Sequence, residues 1–499
     1  MMLSKREART VDPVRLGICR GGTYGLFAAP EPIVAPARRL GAAVVRINLF
    51  WSQLEPAPGQ YDWTALDTFL DQLHGDVQAW ITVAGSSTWG SRISTPFLPP
   101  SPANDRIAYA AFVRLLVSRA VGRVAYWQCE IEPCVPLMWS GTAQDYLGQL
   151  HVFSEAVRAV DTTATVVLGG AVPMAMVADA PGSNRQAADD LREIVHGASG
   201  LYDVFDLHPY GDPYAIPSLV AAARSLMAEA GTVRPVVAGE YAGPMPTGYP
   251  QNLPRLAPML AGFRRIFAGA DLPGGGIGPD ADDPELIKLC RDADRLPDTV
   301  RMFLPGCPPE LTVERDRAVS SELIIRTGLL AACGVRVLAP YQLAPEQPGE
   351  SPYTLRALMF GAFALHDHPA GSDDPADWID HPRPVAAAFS RLADRVNGAD
   401  HLRLIDNGDP DLFLLEIDRP GTTVAGYVGW HRDGRPTELD LPIPATMTVE
   451  AVDALGRPVP VRRQRHRLWL PLGDTPTLVG PTTDTTATTR MQPFASAAA

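Results

Sequence analysis

Two stretches of the chain end in glutamates placed to do chemistry. Tyr126-Trp127-Gln128-Cys129-Glu130-Ile131-Glu132-Pro133 and Pro235-Val236-Val237-Ala238-Gly239-Glu240-Tyr241 each read as a buried β-strand that stops abruptly at a carboxylate. Two carboxylates at the ends of different strands of one sheet are the minimal equipment for cleaving a glycosidic bond. One stays protonated and serves as the acid, while the other attacks as the nucleophile. Identical side chains take opposite roles only in opposite surroundings. The acid needs a poorly solvated setting, and the nucleophile needs cations and hydrogen-bond donors.

The elements that must position these groups are short apolar runs alternating with longer amphipathic segments. Strands are expected at Val14–Ile18, Ala43–Asn48, Val77–Val83, Val124–Gln128, Thr165–Gly169, Val204–Leu207, Pro235–Ala238 and Val335–Leu338. Helical patterns occupy Trp63–Leu73, Asp105–Ala120, Ala143–Val160, Ile216–Ala230 and Val319–Ala332. This alternation predicts an α/β protein with an eight-stranded parallel (β/α)8 TIM barrel. Buried parallel strands are apolar on both faces, as these mostly are. In such a barrel the chemistry sits at the C-terminal ends of the strands. Arg46, Asn48, Glu130, Glu132, His208, Tyr210 and Glu240 all fall there.

The barrel is expected over 13–397, closed by a helix at Val385–Val396. An insertion at about 243–316, rich in Pro and Gly, is expected to lie over the site and to carry two short helices. Its Pro273-Gly274-Gly275-Gly276 follows no strand and precedes no Lys-Ser/Thr, so it reads as a loop and not as a phosphate cradle. From 398 to 481 short alternating runs (Leu412–Ile417, Thr423–Val428, Thr437–Leu441, Met447–Ala451, Val459–Arg462 and Arg467–Leu470) predict a C-terminal antiparallel β-sandwich domain. The Thr/Ala-rich residues 482–499 read as a disordered tail.

Composition narrows the function. The chain has 499 residues, 46% hydrophobic and 20% charged, with net charge −13, which argues against nucleic-acid or anionic-membrane partners. No apolar run is long enough to span a membrane. The polar N-terminus lacks the apolar core of a secretory signal, which gives a cytoplasmic expectation that leaves secretion open. Six cysteines show no metal-ligand spacing, so no metal is expected. Cys129 and Cys134 read as small packing residues, and the sequence leaves open whether Cys290 and Cys307 pair across a loop. Trp89 and Trp139, in loops after the third and fourth strands, are candidate platforms for the C–H faces of sugars, or else loop anchors. His366-Asp367-His368 reads as a solvated turn. Gly-x-Ser-x-Gly and clustered histidines are both missing, which disfavours a serine or metal hydrolase.

Several motifs resemble the clan A glycoside hydrolases, nearest in flavour to family 39 or family 5. These are Val45-Arg46-Ile47 with Trp51, Glu55-Pro56, Pro58-Gly59, Tyr61-Asp62-Trp63 and Asp67, the Trp127-to-Pro133 segment, Phe205-Asp206-Leu207-His208-Pro209-Tyr210, and Gly239-Glu240-Tyr241. The resemblance spans roughly residues 14 to 345. It implies a retaining O-glycosidase that needs no cofactor and acts on an oligosaccharide or glycoside. Glu132 would be the acid/base and Glu240 the nucleophile, with Arg46 and Tyr210 supporting Glu240 and His208 orienting a hydroxyl or carboxylate. The chain departs from the pattern twice. Ile131 stands where the family places an asparagine for the sugar 2-hydroxyl, and Pro340-Tyr341-Gln342 replaces an aromatic Trp after the eighth strand. Glu130 and Tyr341 are the candidate substitutes. Ile131 also keeps open a non-catalytic carbohydrate-binding protein on the same fold.

Overall fold

A computed structural model describes residues 13–176, 184–267, 282–346, 349–369, 371–420, 426–443 and 448–481. Its N-terminal part is organised around parallel strands: β1 (Arg15–Leu16), β2 (Ile18–Cys19), β3 (Val44–Phe50), β4 (Gln78–Ala84), β5 (Val124–Cys129), β6 (Thr165–Val167), β7 (Phe205–Asp206), β8 (Val236–Val237) and β9 (Val337–Leu338). β1 and β2 are one run of chain interrupted at Gly17. Parallel pairing runs β2-β3-β4-β5-β6, then β7-β8, then β1-β9. Single parallel bridges, Val167 to Val204 and Ala238 to Leu338, join these sheets. The pairing therefore passes from strand to strand and returns to its start. Every residue of β3 is buried, as a strand covered on both faces requires.

Helices between the strands supply the outer cover. Ala143–Val160 begins where the Thr142 side chain accepts from Asp145 N and Asp145 answers to the Thr142 backbone, a capping box that fixes its first turn. Asp105 caps Arg106–Arg119 in a similar way. The helix Arg185–Gly197, between β6 and β7, was not anticipated. Its apolar stripe, Ala187, Leu191, Ile194 and Val195, is narrow within a highly charged segment. The stretch expected to be an insertion is largely helical where it is described, with Leu253–Phe267, Pro284–Arg291 and Asp298–Arg301. The helix expected from Val319 starts ten residues earlier, at Pro309, where proline is well placed at a first helical position. Pro273-Gly274-Gly275-Gly276 lies outside the described residues.

After the helix Pro384–Val396 the strands are antiparallel. They are β10 (His401–Leu404), β11 (Leu412–Asp418), β12 (Gly426–His431), β13 (Thr437–Pro442), β14 (Val449–Asp453), β15 (Arg462–Gln464), β16 (Arg467–Leu472) and β17 (Thr477–Pro481). One sheet has the order β10-β11-β12-β17-β14 and the other β13-β16-β15. β10 and β17 were not anticipated, and β15 begins three residues later than expected. Thr423 and Met447, the expected starts of two strands, lie outside the described residues. Leu415, Ile417, Val428, Trp430 and Leu478 join the same apolar core as the parallel strands and their helices. The Trp430 indole N–H donates to the Tyr214 hydroxyl at 3.0 Å.

One open question about side-chain environment is answered and one reading is corrected. Cys290 and Cys307 are free thiols. His366 is not in a solvated turn: it is buried against the Trp378 ring at 5.1 Å, and burial drives its imidazole down to about 4. Among the described residues no helix is long and apolar enough to cross a membrane.

Candidate active site

The two glutamates follow β5 and β8, and carboxylate oxygens of both lie within 4.8 Å of each other and of a His208 ring nitrogen. Their settings differ. The Glu240 Oε2 accepts from Arg46 Nη1 at 2.8 Å, and Oε1 accepts from the Tyr210 hydroxyl at 2.7 Å. Arg46 is wholly buried on β3 and also donates to the Gly239 carbonyl at 2.9 Å, which holds the β8 end against it. Burial opposes a charge on Glu240. The nearby His208 and Arg46 charges and the two donors outweigh burial and hold Glu240 below the ordinary carboxylate range.

Glu132 has no arginine partner. Its Oε1 lies 2.7 Å from His208 Nδ1, and its side chain is 8% exposed. Burial lifts its pKa above the ordinary range, and the hydrogen bond and charge of His208 oppose that lift only in part. The other ring nitrogen of His208, Nε2, lies 2.9 Å from Asp206 Oδ2. Burial works against an imidazolium here, but the Asp206 and Glu132 contacts outweigh it and raise His208 to about 10. Glu132, His208 and Glu240 are close enough together to share an ion. Both His208 nitrogens lie against carboxylates, so an ion would have to displace one of those contacts.

A floor of buried polar groups underlies the pair. Gln128 Nε2 donates to Asp206 Oδ2 at 2.7 Å, and the Gly239 backbone N–H donates to Asp206 Oδ1 at 2.6 Å. Gln128 Oε1 accepts from Thr82 Oγ1 at 2.7 Å and from Trp80 Nε1 and Arg46 Nη2 at 3.2 Å. One hydrogen-bonded chain thus runs Glu240, Arg46, Gln128, Asp206, His208, Glu132. Gln128 and Asp206 were not singled out in the sequence. The signal was there: each is a polar residue on an otherwise apolar strand, and each is itself fully buried, where an unpaired polar group is costly.

The structure brings together Arg46, Glu132, His208, Tyr210 and Glu240 and separates other candidates. Glu130 is fully buried in left-handed backbone (φ 60°), and its carboxylate accepts from Gly85 N at 3.0 Å and Gln149 Nε2 at 2.7 Å. It faces the helix layer, and burial lifts its pKa to about 8. Trp139 is buried edge-on against Tyr146, so its ring offers no open face. Trp89 is half-buried against Trp51 at 5.1 Å and donates to the Glu55 carbonyl at 2.8 Å, which anchors its loop. Neither tryptophan has a polar or ring contact with the central five residues among the described residues. Ile131 is buried beside Glu132. Tyr341 is half-buried, with its ring 6.0 Å from that of Phe360, which also packs on Tyr210 at 6.5 Å. The Tyr341 hydroxyl donates to Glu346 at 2.6 Å. Glu346 was not anticipated; it also accepts from Gly22 N and the Thr23 hydroxyl.

A family model described as beta-galactosidase matches residues 31–88, the segment that carries β3 and Arg46. A family 39 glycoside hydrolase from Bacteroides cellulosilyticus WH2 superposes with TM-score 0.58 at 15% identity, covering 94% of this chain and 81% of that one. A family 51 α-L-arabinofuranosidase from Bifidobacterium longum gives 0.54 at 11% identity, covering 96% and 98%. The fold is that of the clan A glycoside hydrolases. A glucosidase from Croceicoccus marinus agrees, with TM-score 0.53 at 13% identity and coverage of 95% and 96%. No curated protein sequence matches the chain. The clan A likeness expected from the motifs therefore holds in the fold, and the C-terminal antiparallel sheets suit it.

Proposed function

We propose that the protein is a retaining O-glycoside hydrolase with Glu240 as nucleophile and Glu132 as acid/base. In this reading residues 13–397 form the (β/α)8 catalytic barrel and 398–481 the sandwich domain. The observation that carries the reading is the proximity of the two carboxylates, within 4.8 Å, in opposite electrostatic settings. Retaining enzymes keep their carboxyl groups about 5–5.5 Å apart, whereas inverting enzymes leave about 6.5–9.5 Å for a water. The separation here admits direct attack.

Glu240, held ionised by Arg46 and Tyr210, bonds to the anomeric carbon as the glycosidic C–O bond breaks. Glu132 passes its proton to the departing oxygen. In the second step Glu132, now a carboxylate, takes a proton from water. The resulting hydroxide displaces Glu240 and leaves the sugar with its original configuration. The comparison proteins are named for different sugars, so the fold does not select among them. Ile131 favours a second reading, a carbohydrate-binding protein without turnover, because no amide stands beside Glu132. A panel of aryl glycosides incubated with wild type and Glu240→Gln separates the two. Turnover by wild type that Glu240→Gln abolishes supports the hydrolase. Binding of glycosides without turnover by wild type supports the second reading.

A further inference from the structure

Asp206 and Gln128 are fully buried, and neither reaches the open side of the site. Their hydrogen bonds nevertheless dictate where protons sit. Gly239 N–H and the Gln128 amide can only donate to Asp206 as they stand, because Gln128 Oε1 is occupied by three donors. Asp206 is thus an acceptor on both oxygens, and the His208 nitrogen beside it, Nε2, carries hydrogen. The 2.7 Å contact of Nδ1 with Glu132 Oε1 then has two forms. If Nδ1 also carries hydrogen, Oε1 is an acceptor and the proton of Glu132 must reside on Oε2. Oε2 makes no hydrogen bond among the described residues. If Nδ1 is bare, the Glu132 proton is drawn onto Oε1, trapped against the imidazole and turned away from any leaving group.

We propose that Asp206 is a positioning residue that keeps His208 protonated on both nitrogens, so that Glu132 titrates only at Oε2, the oxygen free to meet the glycosidic oxygen. This rests on the reading of Glu132 as acid/base. The ring is built into place for that task. A Cβ on Gly170 would collide with the His208 ring, and one on Gly239 would stand 2.7 Å from Asp206 Oδ2, so both glycines make room for the pair. The charged and titratable groups around His208 are Asp206 from β7, Glu132 after β5, Glu240 after β8, Arg46 from β3 and Tyr210 from its own strand end. Two carboxylates touch the ring directly, and the arginine is committed to Glu240 and Gln128. The high pKa of His208 agrees with this arrangement. During the first step one proton leaves Glu132 Oε2 for the departing oxygen, and His208 keeps both of its own.

Two measurements test the proposal. The first is nitrogen-15 NMR of the His208 ring, assigned by loss of the signals in His208→Gln. In wild type both nitrogens should show protonated shifts at neutral pH. In Asp206→Asn the inflection should fall by about one to three pH units, since a carboxylate in contact has been removed. A neutral His208 in wild type at pH 7, or an unmoved inflection in a folded Asp206→Asn, overturns the proposal. The second is the pH profile of kcat/KM on an aryl glycoside. In Asp206→Asn the alkaline limb should move to lower pH, and in the His208→Gln background the same substitution should move it no further. A uniform loss of rate with the limb in place would mark Asp206 as merely structural. If Asp206→Asn does not fold, the wild-type NMR titration decides alone. If wild type turns over no glycoside, the hydrolase reading fails, while the NMR arm still decides whether Asp206 fixes the His208 protons.

Discussion

The strand end after β5 and the strand end after β8 carry the same side chain with opposite surroundings. Glu240 receives an arginine and a phenol, and both stabilise its charge. Glu132 receives burial and an imidazole that is itself tied to another carboxylate. Glutamate has no built-in role. The difference arises from which neighbouring strands send cations toward which oxygen. β3 sends Arg46 to Glu240, while β7 sends His208 to Glu132. Because Gln128 links the two sets, the settings are also not independent.

The largest test of this contrast is removal of the proposed nucleophile. Glu240→Gln should reduce turnover of every aryl glycoside by roughly ten-thousand-fold or more, with folding preserved by circular dichroism. Glu132→Ala should cost about 10²–10⁴-fold on substrates with poor leaving groups. On activated aryl glycosides its first step should survive, and added azide should restore the second by replacing the base-activated water. Equal and unrescued losses in the two variants would erase the distinction between them.

Smaller changes sharpen the contrast. Tyr210→Phe removes a donor to ionised Glu240, at a cost of about 1.5–3 kcal/mol in transition-state stabilisation. Glu240 must be ionised to attack, and the lost donor raises its pKa. The acidic limb of kcat/KM should therefore move to higher pH while the alkaline limb stays. Ile131→Asn should improve kcat/KM for substrates with a 2-hydroxyl by about 1 kcal/mol, relative to their 2-deoxy counterparts. No difference between the two substrate sets would mean that residue 131 does not face the sugar.

Much of the fold was legible because its determinants are local. Val44–Phe50 and Gln78–Ala84 are rich in apolar and β-branched residues, as strands buried on both faces must be. Thr142 and Asp145 announce the start of a helix that ends as expected at Val160. The central residues of the site could be read because strand ends in such a fold converge. Glu130 misled for a local reason. Alternation along a strand puts residues 130 and 132 on one face, but the strand ends at Cys129 and Glu130 turns left-handed, so its side chain leaves the site. Trp139 was ambiguous because an indole packs equally well on a sugar or on Tyr146. β17 was hidden because Pro476, Gly480 and Pro481 interrupt its short apolar run, although its pairing with β12 and β14 places it inside a sheet. Asp206 and Gln128 could be seen as polar residues in apolar strands, but their partners come from β3, β4 and β8. Such long-range pairing is not written in any local pattern.

The contact of Trp430 with Tyr214 bears on how the chain folds and evolves. Trp430 is fully buried, its ring stacks on Phe413 at 5.1 Å, and its indole N–H ends on a residue just before the helix Ile216–Glu229. Gly328, in the middle of the helix Pro309–Ala332, has no room for a side chain because Leu415 of β11 already occupies the space. The five-stranded C-terminal sheet is thus an outer layer of the same core and not cargo on a linker. A chain cut before β10 would expose the apolar surface beneath that layer to water. A recombinant exchange of C-terminal sheets between relatives would have to carry Gly328 and Tyr214 with it.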